Sequence, residues 1–299
     1  MPAKLLEGEP IANEIKQEVE AAIADLKSTH GLTPSLAAVQ VGENAASRVY
    51  IRNQRRSFEE VGMNYKLHEL PQDSTQEQVA DFIHQLNEDD SATGIILQMP
   101  LPKGIDEKAL QMEIAPAKDV EGLNPASLGL IAYDNPRLVP CTAMAAIKML
   151  DATGVEVRGK EAVVLGRSTI VGKPVALLLL QRKYSATTTV CHTGTIDGGK
   201  LEEHVGKADI LIAAIGQREF VKGEWIKEGS IVIDVGINRV RVKSKKTGKT
   251  RSKIVGDVEF DTAKERAAFI TPVPGGVGPV TVSLLLQNTV NAAKWQVEE

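Results

Sequence analysis

Apolar residues recur along this chain at two different spacings, and the alternation between them marks out its elements. Ile11, Ile15, Val19, Ile23 and Leu26 follow the period of one helix face, so residues 9–28 read as an amphipathic helix. His30-Gly31 ends it, and Pro34 lies just beyond. Leu36–Val41 is a short, largely apolar run closed by Gly42, the pattern of a buried strand. A second helix is predicted from about Ala45 to Val61, stopped by Gly62. Tyr65–Leu70 reads as a strand, Thr75–Leu86 as a helix, and Thr93–Gln98 as a further buried strand cut off by Pro100 and Pro102.

The stretch 115–140 breaks the rhythm. It holds Pro116, Pro125, Pro136 and Pro140 with little periodicity, so a loop-rich segment is expected, and long loops beside a parallel sheet often carry function. Residues 142–153 look helical and are a candidate link between two lobes. The alternation then resumes, with strands at Glu161–Leu165, Thr187–Cys191, Asp209–Ala214 and Ser230–Val235. Helices are expected at Gly172–Arg182, Leu201–Gly206 and 280–297. Strands alternating with helices imply parallel sheets with crossover helices, hence an α/β fold of two lobes with a cleft between them.

Composition adds exclusions. At roughly 150 residues per domain, 299 residues agree with two domains. With 35 Lys+Arg against 39 Asp+Glu the net charge is -4, so nucleic acid is not expected as a partner. Two cysteines make no disulfide framework and suit a reducing compartment. The N-terminus shows no targeting signal, and apolar runs such as Val175–Leu180 fall far short of the roughly 20 residues of a membrane span, so a cytoplasmic protein is expected. Arg239–Lys253 concentrates eight basic residues without interleaved aromatics; it reads as a solvated hairpin rather than a ligand surface.

Two segments could carry chemistry in the second half. The strand ending at Leu165 runs into Gly166-Arg167-Ser168 and a helix from Gly172, where a tight turn and free helix N–H groups suit phosphate. Such a junction is common in α/β folds and is not by itself diagnostic, although Arg167 and Ser168 could add bonds to a phosphate. At the end of the next strand Cys191-His192-Thr193 offers no carboxylate where an NAD ribose would want one, which leans toward a 2′-phosphate. Thr271–Pro279 (TPVPGGVGP) joins backbone-fixing prolines to glycines that allow close approach, either as a rigid helix entry or as a binding loop.

In the first half, Tyr50 and Gln54 lie one helical turn apart, Gln98 closes a strand, and Asp119 lies in the Lys118–Gly122 loop. Core packing, a strand cap and a turn would account for them equally well. His30, His68, His84, His192 and His204 show no metal-ligand spacing and the cysteines no CxxC, so no metal site is expected.

Taken together, SRVYIRNQ (47–54), IILQMPLP (95–102), PAKDVEGL (116–123), VPCTA (139–143), VVLGRSTIVGKP (163–174), VIDVGIN (232–238) and ITPVPGGVGPVT (270–281) resemble the bifunctional methylenetetrahydrofolate dehydrogenase/cyclohydrolase family over essentially the whole chain. The resemblance implies a catalytic, folate-binding lobe of residues 1–145 completed by a C-terminal helix 280–299, a Rossmann-like lobe of residues 146–279, and a homodimer. It implies NADP, with NAD less favoured, and a tetrahydrofolate derivative as substrate. Oxidation of 5,10-methylenetetrahydrofolate would be followed by hydrolysis of the methenyl product to 10-formyltetrahydrofolate. It further implies that Tyr50, Gln54, Gln98 and Asp119 form the catalytic set, with Leu97, Met99, Pro274, Gly275, Gly276, Val277 and Gly278 also touching substrate. Gly166, Arg167, Ser168, Thr193 and Ile237 would contact the dinucleotide.

Three positions depart from the family pattern. The family's Tyr-x-x-x-Lys ends here in Gln54, and an amide cannot titrate near neutral pH, so hydrolysis is expected to be impaired. A serine and basic residue after Cys-His are replaced by Thr193-Gly194, which should weaken NADP binding, and PCTP becomes PCTA, ending in Ala143. Gln54 also admits a folate- and nucleotide-binding protein with degraded catalysis, kept for assembly or regulation.

Overall fold

The structure, a computed structural model, describes residues 2–42, 45–243 and 250–298. Its strands are β1 (Lys4–Leu5), β2 (Ser35–Val41), β3 (Asn64–Leu70), β4 (Gly94–Leu97), β5 (Glu161–Leu165), β6 (Thr187–Cys191), β7 (Ile210–Ala213), β8 (Ile231–Asp234), β9 (Asn238–Lys243), β10 (Thr250–Val255) and β11 (Phe269–Ile270). The chain divides into two compact units, Asn13–Cys141 with Val282–Glu299, and Met1–Ala12 with Thr142–Thr281.

In the unit built on Asn13–Cys141, β3, β2 and β4 form a parallel sheet in that order. The central β2 is buried from Leu36 onward, which is why it reads as a continuous run and not as an alternation. Helix Gln76–Asn87 starts at Thr75, whose hydroxyl accepts from Gln78 N at 3.2 Å while the Gln78 side chain accepts from Thr75 N at 2.8 Å. It buries Val79, Ile83 and Leu86 against Val39, Ile95 and Leu97. The stretch expected to be loop contains a 3-10 turn, Pro116–Lys118, and a helix, Pro125–Ala132. Pro125 occupies the first helical turn behind the Asn124 cap, so here proline starts a helix and does not break one. Helix Glu107–Glu113, capped by Asp106, was also not anticipated. Asn288 of the final helix donates to Val120 O at 2.9 Å and Val139 O at 2.8 Å, tying down both ends of the loop that follows the turn.

The other unit carries a parallel sheet ordered β1-β11-β8-β7-β5-β6. Its core gathers Val163, Leu165, Leu211, Ala213, Val232 and Ile270. The first twelve residues, expected with the N-terminal lobe, belong here, because Lys4–Leu5 pairs with Phe269–Ile270 and extends the sheet. The final helix spans Val277–Glu298, so it begins three residues before the expected 280, and its start up to Thr281 also counts with this unit. Helix Cys141–Asp151 forms with Ala143 in place of proline. Parts of the basic run form antiparallel strands β9 and β10; residues 244–249 between them, with Lys245, Lys246 and Lys249, lie outside the described residues. Among the described residues no helix is long and apolar enough to cross a membrane.

Candidate active site

Helix Ala45–Glu60 delivers the first cluster, because Ile51 and Phe58 bury one face and carry Gln54 inward with them. Gln54 is 3% exposed. Its Oε1 accepts from the Tyr65 hydroxyl at 2.8 Å and from Gln98 Nε2 at 2.8 Å, while its own Nε2 is buried with no partner. Gln98 is held at the end of β4 by its backbone N–H, which donates to Val39 O at 2.8 Å. Tyr50, one turn before Gln54, is half exposed, and its phenol is pushed up to about 12, first by desolvation and then by the Glu121 carboxyl.

The two acids of the loop after Lys118 have different surroundings. Asp119 is fully buried; its carboxylate accepts from Gln111 Nε2 at 2.9 Å and from the Asn124 backbone N–H at 2.6 Å. Burial pushes it up to about 6 against the pull of those backbone donors. The Glu121 carboxyl has no hydrogen-bond partner among the described residues, and burial, followed by the neighbouring Asp119, pushes it up to about 8.

In the other unit, Gly166 sits at φ 118, and a Cβ there would lie 2.3 Å from Ala214 O. A Cβ on Gly172 would lie 2.1 Å from Gly166 O, so the helix start can approach the strand end only as glycine against glycine. The Ser168 hydroxyl oxygen accepts from Val171 N at 3.1 Å and steadies this turn. Beside it opens a cavity of about 230 Å³ lined by Gly166, Arg167, Ser168, His192, Thr193 and Ile215, with no carboxylate in its lining. The Arg167 guanidinium reaches the Thr193 hydroxyl at 3.5 Å. A larger cavity of about 370 Å³ is lined by Glu219, Asp234, Glu259 and Asp261 with Lys253 beside them, so its carboxyl groups outnumber its cation and suit phosphate poorly.

The tetrahydrofolate dehydrogenase/cyclohydrolase catalytic domain matches residues 6–121, and the NAD(P)-binding domain of the same family matches residues 140–297. The chain belongs to this family. It is 48% identical over 294 residues to the bifunctional protein FolD of Moorella thermoacetica, covering 98% of this chain and 100% of the relative. Among solved structures it resembles the Trypanosoma brucei methylenetetrahydrofolate dehydrogenase-cyclohydrolase, complexed with NADP and an inhibitor, with TM-score 0.89, 41% identity and full coverage of both chains. The Campylobacter jejuni FolD dehydrogenase/cyclohydrolase is similar too, with TM-score 0.89 and 38% identity over 98% of this chain and 99% of that one.

Within this family member, Gln54 meets Gln98, a pairing that only the resemblance implied, with Tyr50 one helical turn before Gln54; Tyr65, which no motif had singled out, also bonds Gln54. Leu97 is 2% exposed in the core, so its side chain offers no ligand surface, whereas Met99 is exposed. Asp119 is turned into its own loop, and Glu121 is the acid left near Tyr50. In the nucleotide unit Ile237 is 69% exposed between Gly236, whose N–H donates to Asp234 Oδ1 at 2.9 Å, and Asn238, whose amide donates to Asp257 Oδ1 at 2.8 Å. Asp257 also accepts from Ile215 N at 2.6 Å and Gly216 N at 2.8 Å. This buried acid therefore couples the loops after β7 and β8, a long-range role that sequence spacing does not display. Pro274, Gly275 and Gly278 are exposed, while Gly276 and Val277 are buried, with Gly276 N donating to Pro272 O at 2.8 Å.

Proposed function

We propose that this NADP-dependent methylenetetrahydrofolate dehydrogenase performs the oxidative step of its family in full and the hydrolytic step poorly. Bound NADP supplies the hydride acceptor for the one-carbon bridge of 5,10-methylenetetrahydrofolate. The protein's task in that step is to hold the reacting carbons about 3–3.5 Å apart, which calls for shape and not for a titrating group. Tyr50 offers a half-exposed aromatic surface for the folate. The pterin edge presents adjacent N–H donors, and pairing with them would favour the ionised form of a carboxyl that burial otherwise holds protonated. That role falls to Glu121 in this reading, because Asp119 already spends its oxygens on its own loop. Met99 and the Pro274–Gly278 backbone complete the folate contacts. Arg167 and Thr193 take the 2′-phosphate, Gly166 and Ser168 the neighbouring phosphates, and Ile237 the nicotinamide half. The glycine-lined turn and the carboxylate-free cavity support this fit.

Hydrolysis of the methenyl cation needs a group that moves a proton to or from water. The observation that carries the reading is Gln54: an amide stands at the family's lysine position, and its oxygen is already taken by Tyr65 and Gln98. Mixed with 5,10-methylenetetrahydrofolate and NADP, the enzyme is expected to accumulate the absorbance of the methenyl product, which then decays at the rate seen in buffer alone. Q54K is expected to hasten that decay. Hydrolysis by the unaltered enzyme well above the buffer rate would overturn the proposal, and failure to form any methenyl product would favour a binding protein instead. The same reading makes NADP the better cofactor by kcat/KM and the enzyme a cytoplasmic homodimer, its mass readable by sedimentation.

A further inference from the structure

Past the backbone bond from Val235 N to Ala213 O, at 2.8 Å, strands β7 and β8 run into separate loops. Ile215 of the first loop lines the cavity that holds Arg167 and Thr193, and Ile237 of the second stands exposed. The Asp257 side chain, fully buried, joins the two. Its Oδ2 accepts from Ile215 N at 2.6 Å and Gly216 N at 2.8 Å, and its Oδ1 from Asn238 Nδ2 at 2.8 Å. None of these donors can turn away. Two are backbone N–H groups, and Asn238 Nδ2 also donates to Gly256 O at 3.2 Å, so reversing that amide would set its oxygen against two acceptors. Asp257 is seated as firmly. Its N–H donates to Asp234 Oδ1 at 3.0 Å, its carbonyl accepts from Val221 N at 2.9 Å, and a Cβ on Gly236 would lie 2.3 Å from its carboxyl. Donors converging from two sides need two acceptor oxygens, which a carboxylate has and an amide lacks. All three donors are neutral, and a buried acid held without a cation is costly, so its presence between these loops calls for an explanation.

Accepting the dehydrogenase reading above, we propose that Asp257 is a positioning residue for the dinucleotide: its carboxylate fixes the separation of Ile215 and Ile237, and so the orientation in which the nicotinamide half is held for hydride transfer. Asp257 is too deeply buried to touch the cofactor and acts through the loops it holds. Hydride transfer is sensitive to such control, because a misplacement of about 1 Å costs about a hundredfold in rate. Arg167 and Thr193 lie outside the clamp, so the preference between NADP and NAD is set independently of it.

The test compares D257N with the unaltered full chain, first without cofactor and then with it. In D257N one side of the clamp must face an N–H₂ group. Amide hydrogen exchange at Ile215 and Gly216 is expected to speed up in the cofactor-free protein, while Leu211 and Ile212 of β7 stay protected. With 5,10-methylenetetrahydrofolate as substrate, kcat/KM for the nucleotide should fall about ten- to a hundredfold, equally for NADP and NAD, with KM for the folate unchanged. The primary isotope effect from substrate dideuterated at its one-carbon bridge should rise, because hydride transfer becomes the slow step. Unaltered exchange at Ile215 and Gly216, or undiminished kcat/KM, overturns the proposal. So does faster exchange throughout the unit with an unchanged isotope effect, which would make Asp257 a purely structural residue. Should D257N fold poorly, N238A removes one arm of the clamp and leaves Asp257 in place. It should reproduce the isotope effect at smaller amplitude, and an N238A enzyme identical to the unaltered one refutes the clamp. If the unaltered enzyme reduces no NADP with methylenetetrahydrofolate, the functional reading fails and this proposal with it, an outcome seen before any variant is compared.

Discussion

Two carboxyl groups separated by one residue show how far local environment divides identical chemistry. Asp119 has backbone and side-chain donors on both oxygens, and Glu121 has none among the described residues. Glu121 is accordingly held above its ordinary 4.5, at about 8, with burial the larger cause. The fold therefore holds this proton more tightly than the unfolded chain does. The resulting stability is fully present below about pH 4.5 and is lost as pH rises through about 8. Melting temperature should fall across that window, and E121Q should flatten the fall. It should not abolish it, since Asp119 at about 6 and Asp234 at about 7 act in the same direction. An unchanged slope in E121Q would show that Glu121 does not titrate there. The sequence displayed both acids, but which one the chain itself would consume depended on Gln111 and Asn124, positions with no spacing rule to link them.

At the level of elements, the strands and helices with long periodic patterns were legible, and the short ones were not. β2, β5, β7 and β8 are buried on both faces and announce themselves as apolar runs. β1 and β11 have two residues each, too few for any period, and exist because they pair with each other and with β8. Helix Pro125–Ala132 was hidden by prolines that elsewhere end helices. The junction of β5 with helix Gly172–Leu180 was readable as a turn, but the reason for its second glycine was not. G172A would bring a Cβ to 2.1 Å from Gly166 O, a backbone atom that cannot swing aside. The expected cost is about 1–3 kcal/mol of stability, as for other overpacked sites, measured by denaturant unfolding. It should come with a raised KM for NADP and an unchanged KM for folate; an equal rise in both would place the effect outside the nucleotide turn.

For the whole molecule, ligand linkage gives the broadest check. A cofactor that binds only the folded state stabilises it by mass action, about 2.7 kcal/mol at a hundredfold excess over Kd. NADP should raise the melting temperature more than NAD at equal concentration, given the Arg167–Thr193 pair and a cavity without carboxylates. A larger shift with NAD would reverse the cofactor assignment. By itself the sequence determined the α/β class, the two series of alternating elements and the family, because buried periodicity and contiguous motifs are written locally along the chain. Only the tertiary structure decided that the first twelve residues join the nucleotide unit, that Asp257 ties two distant loops, that Glu121 and not Asp119 is left unengaged, and that Tyr65 grips Gln54. Each of those depends on which far-apart donors and acceptors are buried together, and hydrogen bonding between distant residues leaves no period in the sequence.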